Sequence, residues 1–115
     1  MAEEPFHKTS LDEVKRRFGG ALTEQDLADA FAICSNKFWW VEDNEYDYEE
    51  GTPEHQQARA GTDAWRQLME KYEVQIFDIL RSKGIIIQKQ GTIRVLAPFM
   101  KEHGYEDGNG WWVRL

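Results

Sequence analysis

FWWVEDNEYDYEEGTPEHQQA, Phe38 to Ala58, holds the break on which the fold turns. Within it, Gly51-Thr52-Pro53 stops one helix and starts another, because Thr52 can cap and Pro53 suits a first helical position, where its missing N–H costs nothing. On either side the apolar residues recur at helical spacing. Upstream, Leu27, Phe31, Cys34, Phe38 and Val41 alternate steps of four and three. Downstream, Ala58, Trp65, Met69, Tyr72, Ile76, Ile79 and Leu80 make a second seam. Two long helices with a short connection pack antiparallel, each hiding its seam against the other. The quoted stretch then becomes the tip of a helical hairpin.

The same window holds all seven units of net negative charge: Glu42, Asp43, Glu45, Asp47, Glu49, Glu50 and Glu54, with no Lys or Arg. The other 94 residues carry 14 acids and 14 bases and are neutral together. Like charges at i,i+4, in Asp43/Asp47 and Glu45/Glu49, disfavour helix there, so the upstream helix should fray or end between residues 42 and 50. A local field of this kind attracts a basic partner and repels nucleic acid and anionic membrane.

Outward from the hairpin, Thr23 and Asp26 mark the start of the upstream helix. Ser10 and Glu13 mark an earlier short one carrying Leu11, Val14 and Phe18, closed by Gly19-Gly20. Residues 1–9 read as a loose arm. Gly84 suits the left-handed position after the second long helix. Beyond it the period changes to two: Ile85 to Gln88 and Thr92 to Leu96 flank Gln90-Gly91 and read as a β-hairpin. Pro98 to His103 reads as one or two helical turns closed by Gly104. Asp107-Gly108-Asn109-Gly110 is turn chemistry, and Trp111 to Leu115 a final strand with its two tryptophans on opposite faces. The expected architecture is α+β and mainly α: an antiparallel helical hairpin with a short N-terminal helix and a small C-terminal antiparallel sheet, in one domain over 10–115.

The totals bound the function. At 115 residues the chain is long enough for one core without staples, and 41% hydrophobic with 13% aromatic residues is a globular composition. The mean hydropathy of −0.70 fits a solvated acidic segment. One cysteine, Cys34, excludes an intramolecular disulfide framework and any multi-cysteine zinc site. With no apolar run of spanning length and no apolar leader, a soluble cytoplasmic protein without membrane contact is expected.

Catalytic and metal chemistry find little support. Asp43, Glu45, Asp47, Glu49 and Glu54 fall at positions 1, 3, 5, 7 and 12 of a calcium-loop template, but Tyr48 stands where the sharp turn needs Gly, and Pro53 occupies position 11. An acid/base pair would need a pocket that desolvates it, whereas six acids in the nine residues 42–50 read as solvated. His7, His55 and His103 have no metal-ligand spacing, Cys34 sits in an apolar seam where a thiol is inert, and the glycines at 104, 108 and 110 match no phosphate loop. No enzyme, metal or cofactor is expected.

Binding is the stronger reading. Tyr46 and Tyr48 are interleaved with the acids, and Trp39 and Trp40 precede them; neighbours on a helix are turned by about 100°, so Phe38, Trp39 and Trp40 cannot all face one seam. Aromatics ringed by charge are the composition of an interface hot spot. The expected partner-binding set is Trp39, Trp40, Glu42, Asp43, Glu45, Tyr46, Asp47, Tyr48, Glu49 and Glu50, meeting a basic protein surface. The plain alternatives are a solvated tip and tryptophans packed under the last strand.

From Ile79 to Lys101 the chain carries Arg81, Lys83, Lys89, Arg94 and Lys101 and no acid. In an antiparallel hairpin this region lies roughly 30–37 Å from the acidic tip, at 1.5 Å per residue, so the molecule is expected to be bipolar. A helix followed by a two-stranded wing is also a nucleic-acid-binding arrangement, in which Arg81, Lys83, Lys89 and Arg94 would touch phosphate. The acidic balance of the chain argues against it. Head-to-tail self-association of the two poles is a third reading.

The window FWWVEDNEYDYEEGTPEHQQA together with the ending GYEDGNGWW resembles small acidic accessory proteins of bacterial mobile genetic elements, over residues 23–115. The resemblance carries no activity and no functional residues. It implies a protein that binds host or element machinery, and some acidic accessory proteins imitate DNA to occupy basic clefts of nucleic-acid enzymes.

Overall fold

A computed structural model describes residues 9–85, 92–108 and 111–115, with the backbone alone for 92–95. Four helices, α1 (Leu11–Arg17), α2 (Glu24–Glu45), α3 (Pro53–Ser82) and α4 (Thr92–Glu102), precede two strands, β1 (Tyr105–Asp107) and β2 (Trp112–Arg114). The chain is α+β and mainly α.

Each of the first three helices starts where its capping chemistry lies. Ser10 Oγ accepts from Glu13 N–H and Thr52 Oγ1 from His55 N–H, with Pro53 opening α3. Thr23 and Asp26 form a reciprocal capping box, the hydroxyl accepting from Asp26 N–H and the carboxylate from Thr23 N–H. Gly84 follows α3 at φ +84°, a backbone setting that a side chain would strain.

Contacts at both ends of the hairpin fix its antiparallel sense. Lys83 Nζ, just past α3, lies 3.4 Å from Glu24 in the first turn of α2, and His55 Nε2, in the first turn of α3, lies 3.7 Å from Glu45 at the end of α2. Between them Leu27, Phe31, Cys34 and Phe38 meet Trp65, Leu68, Tyr72, Ile76 and Leu80 in one core. The short α1 closes one side: Phe18 packs edge-on to Tyr72 at 6.2 Å, and Tyr72 Oη donates to Phe18 O at 3.4 Å.

α2 is also buried on the face turned away from that seam, where Ala28, Ala32, Ser35 and Asn36 are covered. A helix without a polar face needs cover on two sides. α4 and the two-stranded sheet supply a second layer. Trp112 meets Phe31 at 6.1 Å, while Leu96, Phe99 and Met100 join the same core. The strands pair antiparallel with Tyr105 opposite Arg114 and Asp107 opposite Trp112.

One part of the C-terminal reading is corrected. The strand expected over Thr92–Leu96 is the first half of α4, which runs eleven residues through Pro98 rather than starting there. Leu96, Phe99 and Met100 recur at helical spacing and all are buried, so packing overrides the β-branched character of Ile93 and Val95. The hairpin expected at 85–96 is therefore not formed as a pair of strands; its first arm and turn, beyond Ile85, lie outside the described residues. Gly104 closes α4 at φ +94° as expected, and Trp112–Arg114 is the expected final strand. Its partner, Tyr105–Asp107, has no counterpart among the expected elements, and Asp107, expected in the turn, is the last residue of that strand. The arm at 1–9 lies outside the described residues except for Thr9.

Candidate partner-binding site

The tip forms because α2 runs out of helix-supporting chemistry. Glu42, Asp43 and Glu45 crowd its last turn, which has no basic residue, so carboxylates face the negative end of the helix dipole. The helix stops at Glu45. Asp47 and Tyr48 continue in turns through Asp47 N–H to Asn44 O and Tyr48 N–H to Glu45 O, and Gly51 reverses the chain at φ +89°. Thr52 then anchors the far side, its hydroxyl donating to Glu49 O at 2.7 Å while accepting from His55 N–H.

This geometry sorts the aromatics. Phe38 is buried and packs edge-on against Trp39 at 5.2 Å, whereas Trp39 itself is 46% exposed. Tyr46 is 77% and Tyr48 45% exposed. Trp40 is half-buried and lies 5.1 Å from the ammonium of Lys37, which also stands 5.6 Å from the Trp65 ring. Lys37 is itself buried, and loss of hydration pushes its ammonium pKa below the usual lysine value. The two ring faces supply the electrostatic contact that a buried cation needs.

Asp43, Asp47, Glu49 and Glu50 are exposed, and none forms an ion pair with another described residue. Glu42 and Glu45 are half-buried, and Glu45 approaches His55. The arrangement presents one large indole and two phenols beside four unneutralised carboxylates. Among the described residues no cluster of His, Cys, Asp and Glu is placed to hold a metal ion.

The opposite end is less polarised than its sequence. Arg81 pairs with Asp78 at 3.4 Å and Lys83 with Glu24 at 3.4 Å, so α2 and α3 bring acids to a stretch that has none of its own between 79 and 101. The side chains of Lys89 and Arg94 lie outside the described residues. Next to Glu24 a polar cluster joins the layers: Gln25 Nε2 donates to Asp29 at 3.0 Å and to His103 O at 2.9 Å, and Tyr105 Oη donates to Asp29 at 2.7 Å. Burial, with that hydrogen bond and the charge of Asp29, raises the Tyr105 phenol to about 12. The Cys34 thiol, fully enclosed, is pushed by burial to about 12, which leaves no thiolate for chemistry at neutral pH.

Two features escaped the sequence reading. Lys37 belongs under the tip and orders Trp40, and the polar cluster around Asp29 ties α2 to α4 and the sheet. Neither has a spacing signature, because Asp29 and Lys37 read as ordinary solvated residues of a helix. No helix among the described residues is long and apolar enough to cross a membrane. No protein-family model, no curated protein and no solved structure matches the chain.

Proposed function

We propose that the chain is a non-enzymatic interaction module whose tip docks on a basic protein surface. The observation that carries this reading is the exposure of Trp39, Tyr46 and Tyr48 among carboxylates that have no described cation. Exposed aromatics are a liability for a tip that only solubilises, and they are the anchors of a desolvated hot spot. The crowding of acids at the wrong end of a helix dipole supports it further, because local rules are broken where function requires it.

Such a tip steers association over long range and holds the complex through its aromatics. Basic clefts that accept a phosphate backbone match its charge, so the proposal extends to a DNA mimic that inhibits nucleic-acid machinery. The test is charge reversal. The triple variant Glu45→Lys, Asp47→Lys, Glu49→Lys should lose capture of basic partners from lysate at low salt, and moderate salt should release them from the native chain. Undiminished capture by the folded variant overturns the reading.

A further inference from the structure

α1 and α3 leave between them an open cleft of about 370 Å³, lined by Lys15, Ala64, Gln67, Leu68 and Lys71. The floor is apolar and the rim is basic. Lys15 begins an exposed Lys15-Arg16-Arg17 run in the last turn of α1, and Arg17 is held over the Phe18 ring at 4.8 Å. Lys71 Nζ stands 5.6 Å from the Tyr72 ring. Neither Lys15 nor Lys71 forms an ion pair with another described residue. Glu70, exposed beside Lys71, is an acid close in sequence to the rim.

A space of this size is at the small end of ligand sites, which run roughly 300–1,000 Å³, and suits a guest side chain better than a cofactor. The guest it fits is an aromatic ring flanked by carboxylates. Tyr46-Asp47-Tyr48-Glu49-Glu50 is such a segment, exposed throughout and without described cations. The tip cannot reach the cleft of its own chain, because α3 is continuous from Pro53, and the cleft residues lie roughly 17–27 Å down that helix at 1.5 Å per residue.

We infer that the cleft between α1 and α3 receives the acidic, aromatic tip of a second copy of this chain. The contact rests on the tip-docking reading above and gives it a partner. Tip and cleft are different surfaces, so the contact is heterologous and head-to-tail, and successive copies close into a ring or extend as a filament. A tyrosine of the tip enters over Ala64 and Leu68, and its neighbouring carboxylates meet Lys15 and Lys71. This contact is distinct from an association through the 79–101 region, where Arg81 and Lys83 already have acidic neighbours.

The experiment is sedimentation velocity on the full chain across concentration, at about 50 mM and about 500 mM salt, a range over which exposed charges become screened. The native chain should show a sedimentation coefficient that rises with concentration at low salt and not at high salt. Lys15→Glu with Lys71→Glu should abolish the rise, as should the triple tip reversal, because each variant sets like charges against each other. Mixing the two variants should restore a complex, since the intact tip of one meets the intact cleft of the other. Circular dichroism confirms that both variants fold. A native chain that stays monomeric at low salt overturns the inference, and so does a mixture of folded variants that fails to associate. Salt-sensitive binding of DNA or RNA by a monomeric native chain, lost on Lys15→Glu with Lys71→Glu, also overturns it and assigns the cleft to nucleic acid. A native chain that does not self-associate yet captures other basic proteins removes only this inference; self-association that survives tip reversal removes the docking role of the tip.

Discussion

Asn36 grips the backbone of Trp112 with both ends of its amide: Nδ2 donates to Trp112 O at 3.0 Å, and Trp112 N–H donates to Oδ1 at 2.8 Å. Gly108 N–H to Trp111 O and Leu115 N–H to Gly104 O carry the register of the sheet one pair beyond each end of its strands, and the alternation of an antiparallel pair turns the backbone of Trp112 to the outer edge. Asn36 thus acts as an extra rung that fastens the sheet to α2. Asn36→Leu leaves two buried backbone groups unpaired, at about 1–3 kcal/mol each. Urea denaturation should show a loss of at least about 2 kcal/mol; a loss below about 0.5 kcal/mol would show that the rung is dispensable.

Alkaline pH should destabilise the fold through two buried groups. The Cys34 thiol lies at about 12 against an ordinary 9.0, and the Tyr105 phenol at about 12 against 10.0. In both the folded state holds its proton longer than the unfolded state, so stability falls as pH rises from about 9 towards 12. Lys37 works in the opposite sense, since its folded-state pKa is depressed and stability gains as pH rises through it. Cys34→Ala and Tyr105→Phe should each flatten the decline measured by denaturant titration. The folded thiol should also stay inert to a disulfide reagent at pH 8 and react once urea unfolds the chain.

Trp39 and Trp65 separate site from core. Trp39→Ala removes a side chain that is 46% exposed and should alter stability by no more than about 1 kcal/mol, while weakening partner capture. Trp65→Ala removes one that is 4% exposed and faces Lys37, and should cost about 3–5 kcal/mol. Thermal denaturation with a capture assay distinguishes them. Equal stability losses in the two variants would place Trp39 in the core.

Pro98 lies inside α4 with its ring exposed, where it deprives Arg94 O of the N–H it would receive in an unbroken helix. Pro98→Ala restores that donor and raises local helix propensity, partly offset by a freer unfolded chain. A net gain of about 1–2 kcal/mol in denaturant midpoint analysis is expected. A loss would mean that the proline's bend is what seats Phe99 and Met100.

These sites also show which parts of the fold were legible. The caps at Ser10, Thr23 and Thr52 and the seams from Leu27 to Phe38 and Trp65 to Leu80 could be read because local chemistry and burial agree there. Thr92–Leu96 could not, since alternating β-branched residues point to a strand while the helical burial of Leu96, Phe99 and Met100 depends on a core assembled elsewhere. Tyr105 to Asp107 is too short a strand to show a period before the turn at Gly108. At the candidate site the composition, the end of α2 and the exposure of one indole were accessible from sequence. The burial of Lys37 against Trp40 and Trp65 was not, because lysine in a helix ordinarily reads as a solvated face. Lys83 is neutralised by Glu24, distant in sequence, whereas Arg81 meets Asp78 one turn back on its own helix, just outside the acid-free stretch.

The second layer described above touches α2 at Gln25, Asp29, Phe31 and Asn36, all in its first two thirds. The exposed residues of the tip, from Asp43 to Glu50, fall beyond that span and contribute nothing to the buried cluster. Sequence drift at the tip is therefore uncoupled from the selection that preserves the scaffold. Under the proposed docking role, one target would be exchanged for another by rewriting a single turn, with the folding threshold left untouched.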